Sequence, residues 1–251
     1  MEQSEARKTV FETLRSYSLY LAFLVIFIVF SLLNENFLSI NNVLNIIVQS
    51  SIIAIIAVGQ TMVILTSGID LSVGSIVGAV GIGIGLMMVA GVSIPVAVVT
   101  GVFMGAIFGV INGVIISYGR VPAFITTLGM MGIARGFGLA MNEGKPVAGL
   151  PLEFEKIASA SIWGIPSFVF YTLIIYVIMC VVLERTKFGR HIYAIGGNRD
   201  AARLSGVKVK VVEMIVYLFS GLFAGLGSVL LTARLYYATP VAGNGYELDT
   251  I

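Results

Sequence analysis

The sequence predicts an all-α, polytopic membrane protein with about seven spans in this chain. Three observations carry that expectation. Hydrophobic residues make up 58% of the chain and charged residues 11%, where soluble domains carry roughly a quarter charged. The mean hydropathy is +1.01, and the apolar residues fall into successive runs long enough to cross a bilayer. Seven of the fifteen lysines and arginines crowd into one polar stretch between two such runs, Glu184 to Lys210.

The elements follow in order. Met1 to Tyr17 is polar and carries Arg7, Lys8 and Arg15. Ser18 to Leu33 is the first span; no small-x-small cleavage site follows it, so it reads as uncleaved. After a polar loop, Val43 to Thr66 is the second span, and Ser67 to Leu71 interrupts the apolar pattern. Ser72 to Ala90, Ile94 to Ser117 and Val121 to Met141 are the third, fourth and fifth spans. Ile162 to Leu183 is the sixth, with Trp163 as an interfacial anchor, and Val211 to Thr232 is the seventh. The whole reads as one transmembrane domain, 1–251: six spans in 17–183, a polar loop in 184–210, then the seventh span and an external tail in 211–251.

The charges orient these spans. With the N-terminus inside, the inner side collects Arg7, Lys8, Arg15, Arg120, Arg185, Lys187, Arg190, Arg199, Arg203, Lys208 and Lys210. The outer side collects Lys145, Lys156 and Arg234. That bias places the N-terminus and the 184–210 loop in the cytoplasm by the positive-inside rule. The net charge of +2 follows from loop topology and is no nucleic-acid footprint.

The 184–210 loop has its own signals. Gly196-Gly197 breaks the chain, and Asn198 is a good N-cap, worth ~1 kcal/mol. Asp200 falls in the first turn, where a negative charge suits the helix dipole. Ala201, Ala202, Arg203 and Leu204 are helix formers, and Gly206 sits where a C-terminal glycine ends a helix. A short helix, small at Ala201, Ala202 and Ser205, is therefore expected to face something outside the membrane. A solvated connector is the competing reading.

Within the membrane, Gly101, Gly105, Gly109 and Gly113 recur every four residues. They make one flat helix face for a neighbouring backbone. Gly81 and Gly85, Gly132 and Gly136, and Gly221 and Gly225 repeat the spacing. Asp70 and Arg135 are the costly residues, since a charge at the bilayer centre costs roughly 2.5–3.5 kcal/mol on insertion scales. Asp70 either caps the next helix from a short turn or sits at a broken helix end. Arg135 snorkels, pairs with a helix end or lines a polar path that Gln60 and Asn112 also face. No catalytic set, metal-ligand spacing or phosphate loop is present; Gly144-Lys145 runs into proline. Cys180 lies mid-span, and His191 reads as a surface residue of the loop. Uphill transport driven by ATP would need an ATPase on another chain.

Several stretches carry a resemblance. They are Gly59-Gln60-Thr61 followed by Ile64 to Gly78 (ILTSGIDLSVGSIVG), Gly109 to Gly113 (GVING), Val121 to Gly136 (VPAFITTLGMMGIARG), Gly189 to Val209, and the tail GYELDTI. From about residue 18 onward the chain resembles the membrane-spanning permease subunit of bacterial ABC importers for monosaccharides, of the ribose-transporter type. The resemblance implies a multi-pass protein of the bacterial inner membrane. It also implies a second permease subunit, identical or paralogous, a cytoplasmic ABC ATPase carrying ATP and magnesium, and an extracytoplasmic sugar-binding protein. Gly196, Gly197, Asn198, Arg199, Ala201, Ala202, Leu204, Ser205 and Gly206 would then form the loop that couples to the ATPase. Gln60, Asp70, Asn112 and Arg135 are the candidates for the path, and no catalytic, cofactor or metal site is expected in this chain. The family continues past its ELD-type motif, so a chain ending at Ile251 is expected to be cut short. Related cargoes are a nucleoside or a sugar-like signal molecule. An ion-coupled secondary transporter is the alternative of a different class, and it would lean on Asp70.

Overall fold

The computed structural model describes the backbone of residues 2–251 and the side chains from Tyr17 onward. Arg7, Lys8 and Arg15, counted above toward the inner side, lie outside the described side chains. Residues 1–47 and 48–251 form two units. The first holds α1 (Glu2–Leu33) and the opening turns of α2 (Ile40–Leu65). Between them, Asn34 Oδ1 accepts from the Asn36 amide at 2.9 Å, and Asn42 Nδ2 donates to the Phe37 carbonyl at 2.7 Å. The Phe37 ring packs on Phe27 and Phe30, which holds the turn against its own helix.

The second unit contains α3 (Val73–Val89), α4 (Ile94–Ser117), α5 (Ala123–Met141), α6 (Leu152–Ser159), α7 (Ser167–Arg185), α8 (Lys187–Gly197), α9 (Arg199–Leu204), α10 (Val209–Leu235) and α11 (Tyr246–Asp249). Among the described residues, α2, α4, α5, α7 and α10 are long and apolar enough to cross a membrane. Tyr17–Leu33 and α3 are shorter apolar helices. The fold is thus helical and membrane-spanning, as expected. One small hairpin is added, β1 (Ser161–Ile162) with β2 (Ile165–Pro166).

That hairpin corrects the sixth span. Trp163 and Gly164 have φ of +53° and +80°, the left-handed pair that a tight two-residue hairpin turn requires. Ile162 therefore pairs in a strand, and the helix begins at Ser167. Trp163 stands at the hairpin tip, 94% exposed.

Helix α3 is the centre of the second unit. Nearly all of its residues are buried, and α4, α5 and α10 all pack on it. A helix that is apolar all round is stable only when surrounded in this way. The α4–α10 contact is the closest in the unit, and glycine makes it possible. A Cβ at Gly105 would lie 2.9 Å from Gly225 Cα, one at Gly113 would lie 2.8 Å from Met214 Cα, and one at Gly221 would lie 2.9 Å from Gly109 Cα. Positions rise along α4 as they fall along α10, so the two helices run antiparallel. Gly101 is turned differently from its three companions. Its Cβ would meet the Ile84 and Val80 side chains of α3. Among the described residues, Gly132 and Gly136 have nothing within 4 Å of a Cβ.

The tail, which the sequence analysis expects as an external segment, folds back along α3. Tyr236, with φ +58°, ends α10, and its hydroxyl donates to the Leu150 carbonyl at 2.5 Å. Ala238 then pairs with Val147 through two backbone bonds of 2.8 and 2.9 Å. From there the chain follows the glycine face of α3: Ala238 lies at Gly85, the Pro240 carbonyl at Gly78, and Gly243 and Glu247 at Gly74. Gly85 to Gly74 is ~16 Å along a helix, which is the depth to which the tail descends.

Candidate functional site

Two arrangements carry polar chemistry. The first is a lock inside the helical core. Ser67, with φ +61°, and Gly68 turn the chain after α2, and Asp70 follows with no exposed surface. Its Oδ1 accepts from the Ser72 amide at 3.0 Å and from the Ser72 hydroxyl at 2.6 Å. Its Oδ2 accepts from the Ser220 hydroxyl of α10 at 2.8 Å. Asn112 of α4 donates to Ser72 Oγ at 2.9 Å. One carboxylate thus joins the start of α3 to α10 directly and to α4 through a serine. The Ile69 carbonyl beside it faces the hydroxyls of Tyr217, at 3.5 Å, and Thr127, at 3.4 Å. This geometry is that of a short turn before α3, with Asp70 accepting from the Ser72 amide and hydroxyl and the turn buried.

The other path candidates separate. Asn112 joins the lock, fully buried. Gln60 is fully buried on α2, and neither of its amide atoms has a hydrogen-bond partner among the described residues. Arg135 is only partly buried. One guanidinium nitrogen donates to Ser75 Oγ of α3 at 3.2 Å, while its Nε has no partner. Of the four, Arg135 alone keeps open surface. Ser72 was expected as the residue that Asp70 caps, whereas Ser75 and Ser220 were missed at the sequence level. Their signal was slight, a serine inside an otherwise apolar helix.

The second arrangement is the polar surface between α7 and α10. It is a pair of helices rather than one. Thr186 caps α8, its hydroxyl accepting from the Gly189 amide at 3.2 Å. Phe188, Ile192 and Ile195 turn inward, while Lys187, Arg190 and Tyr193 stay outside. Gly196 and Gly197 do not break the chain before the short helix. They complete α8, and Gly196 sits so close to the α2 end that a Cβ would strike the Leu65 carbonyl. The break falls at Asn198, whose φ and ψ are extended.

Helix α9 then forms with the predicted chemistry. Asn198 Oδ1 accepts from the Ala201 amide at 2.9 Å, and Gly206 ends the turn at φ +86°. Ala202 is the inward residue, packed against its own chain, so it is not part of an exposed small face. Ala201, Arg203, Ser205 and Leu204 face out, and Leu204 is 84% exposed. Asp200 and Arg203 pair along the helix at 3.5 Å. Arg199 reaches Glu213 in the first turns of α10 at 2.7 Å.

Comparison with known proteins gives a consistent set of relatives. Residues 42–251 match the family described as the branched-chain amino acid transport system / permease component. The ribose import permease protein RbsC of Escherichia coli (strain K12) is 43% identical over 238 residues, 92% of this chain and 73% of that protein. The D-allose transport system permease protein AlsC of the same strain is 40% identical over 222 residues, 88% and 68% of the two chains. The autoinducer 2 import system permease protein LsrC of Escherichia coli O9:H4 (strain HS) is 32% identical over 237 residues, 94% and 69%. No solved structure matches the chain.

Proposed function

Because this chain belongs to the family of permease components of branched-chain amino acid transport systems, we propose that it is the membrane subunit of an ATP-driven ABC importer carrying a monosaccharide such as ribose. The relatives reported above at 40% identity or more are named for ribose import and D-allose transport, which supports a sugar over an amino acid as cargo. In this reading the protein is a transport subunit and not an enzyme. ATP and magnesium belong to a separate cytoplasmic ATPase. A second permease subunit completes the path, and an extracytoplasmic binding protein delivers the sugar. The protein sits in the inner membrane with its N-terminus in the cytoplasm.

The observation that carries the reading is α9. It is capped at both ends and presents an apolar residue, Leu204, at its surface. A rigid helix with a bare leucine at its tip fits an apolar cleft of the ATPase, as contacts buried at the centre of an interface carry most of its energy. Ala201 and Ser205 flank it and permit close seating. Gly196, Gly197 and Gly206 set the helix ends, and Arg199 orients the helix. Of the polar candidates, Arg135 is assigned to the path because it keeps open surface beside Ser75. Asp70 and Asn112 instead hold helices together, and Gln60 packs in the core.

Leu204→Glu is expected to lower recovery of the ATPase in detergent pull-downs at least tenfold while leaving the permease monodisperse. Undiminished recovery would remove α9 from the docking site. Cargo is read by uptake of labelled ribose in cells, competed with allose, a nucleoside and autoinducer 2. Competition by autoinducer 2 alone would favour a sugar-like signal, a cargo class suggested by the LsrC relative. ATP-independent uptake driven by an ion gradient would instead return the case to a secondary transporter.

A further inference from the structure

Glu213, Tyr217 and Ser220 stand four and three residues apart on α10 and so share one helix face. Glu213 bonds to α9, while Tyr217 and Ser220 bond to adjacent residues of the turn between α2 and α3. Glu213 holds Arg199 of α9 at 2.7 Å, and its carboxylate is 9% exposed while the arginine is 60% exposed. Tyr217 donates to the Ile69 carbonyl at 3.5 Å. Ser220 donates to Asp70 at 2.8 Å. Glu213 to Ser220 spans ~10 Å of helix. This stripe therefore joins the short surface helix to the buried turn between α2 and α3 through one rigid rod.

We propose that the Glu213–Tyr217–Ser220 stripe is the transmission element that carries motion of α9 to the Asp70 turn. The proposal rests on the docking reading of α9. Its physical basis is directionality. The glycine contacts of α10 with α4 are van der Waals surfaces that permit sliding, as does the seat of Gly196 on the α2 end. The three polar bonds resist displacement, and the Ser220–Asp70 bond is buried, where a broken bond is costly. When α9 moves, Arg199 pulls the first turn of α10, and α10 moves as a body. Ser220 then displaces Asp70, and with it Ser72 at the head of α3 and, through Ser72, Asn112 of α4. Helix α3 carries Ser75, the partner of Arg135, so the path group moves with the turn.

The test uses Glu213→Gln and Ser220→Ala, singly and together. Each keeps side-chain volume nearly constant, and neither residue belongs to the docking surface. The permease is co-purified with its ATPase and reconstituted in proteoliposomes with the sugar-binding protein and labelled ribose. The readouts are ATPase recovery and ribose transported per ATP hydrolysed. Each single variant is expected to recover the ATPase at the wild-type level and to lower the transport-to-hydrolysis ratio about fivefold or more. The double variant is expected to match the worse single one, because links in series break only once. A merely structural role would lower yield and both rates together and leave the ratio unchanged, which would overturn the proposal. Losses that multiply in the double variant would also overturn it, as would loss of ATPase recovery in Glu213→Gln, which would make the pair part of docking. Failure of the wild-type protein to retain any ATPase is a different result, and it would overturn the docking reading itself.

Discussion

Asp70 shows how a costly residue is accommodated. A carboxylate buried among apolar helices needs donors, and the chain supplies three, two from Ser72 and one from Ser220. Asp70→Ala leaves both hydroxyls and an amide without their acceptor. It is expected to destabilise the protein by about 3 kcal/mol, in line with hydrogen bonds to a charged group. Thermal unfolding in detergent reads this directly, and an unchanged midpoint would show that the lock contributes nothing. The residue's turn-capping role was legible, because an Asp two residues before a serine at a helix start favours a local bond. Its second partner was not, since Ser220 lies 150 residues away and nothing local distinguishes it from any other serine in a span.

Among the helices, glycine spacing proved informative in one place and misleading in another. The repeat in α4 marked a true interface, because a helix with Gly105, Gly109 and Gly113 on one face lets a backbone approach. The same spacing at Gly132 and Gly136 meets open space. A pattern of four specifies a flat face but says nothing of what lies against it. The two cases separate experimentally. Gly109→Leu is expected to cost about 3 kcal/mol by overpacking against the backbone of α10, seen as aggregation on size-exclusion chromatography. Gly132→Leu is expected to leave the isolated chain monodisperse. If Gly132→Leu aggregates just as readily, open space at that face is not what separates the two sites. At this scale the short helix α9 was legible to the residue, since Asn198 and Gly206 act through bonds made within a few positions of themselves. Helix α8 was overlooked because Gly196-Gly197 reads as a breaker, although glycines here end a helix and seat it on α2.

For the molecule as a whole, the charge count predicts that the β1–β2 hairpin and the α8–α9 surface lie on opposite sides of the membrane. With Cys180 replaced by serine, Trp163→Cys is expected to react with a membrane-impermeant maleimide in intact cells whose outer membrane is permeabilised. Ser205→Cys is expected to react only after the inner membrane is opened. Both residues are exposed in the folded chain, so accessibility reports sidedness rather than burial. Labelling of both from one side would overturn the orientation. The packing of the tail is a large feature that sequence reading did not show. Arg234 to Ile251 is short, mixed in polarity and carries no span signal, so it read as an external strand of chain. Its position depends on Gly74, Gly78 and Gly85 of α3, far away in sequence, which leave a track for its backbone.

Membership of the helical membrane class, the approximate spans and the capped surface helix were all written in the amino-acid order. Each rests on hydrophobicity or on bonds between near neighbours, and those act whatever the rest of the chain does. Tertiary structure alone decided which polar residues meet. Asp70 with Ser220, Arg135 with Ser75 and Arg199 with Glu213 are pairings that exist only once helices pack, because a buried donor takes whichever acceptor the packing brings within reach. It also decided that Ala202 points inward while Leu204 points out. A helix of two turns has no apolar period long enough to show its inner face, so its neighbours choose it.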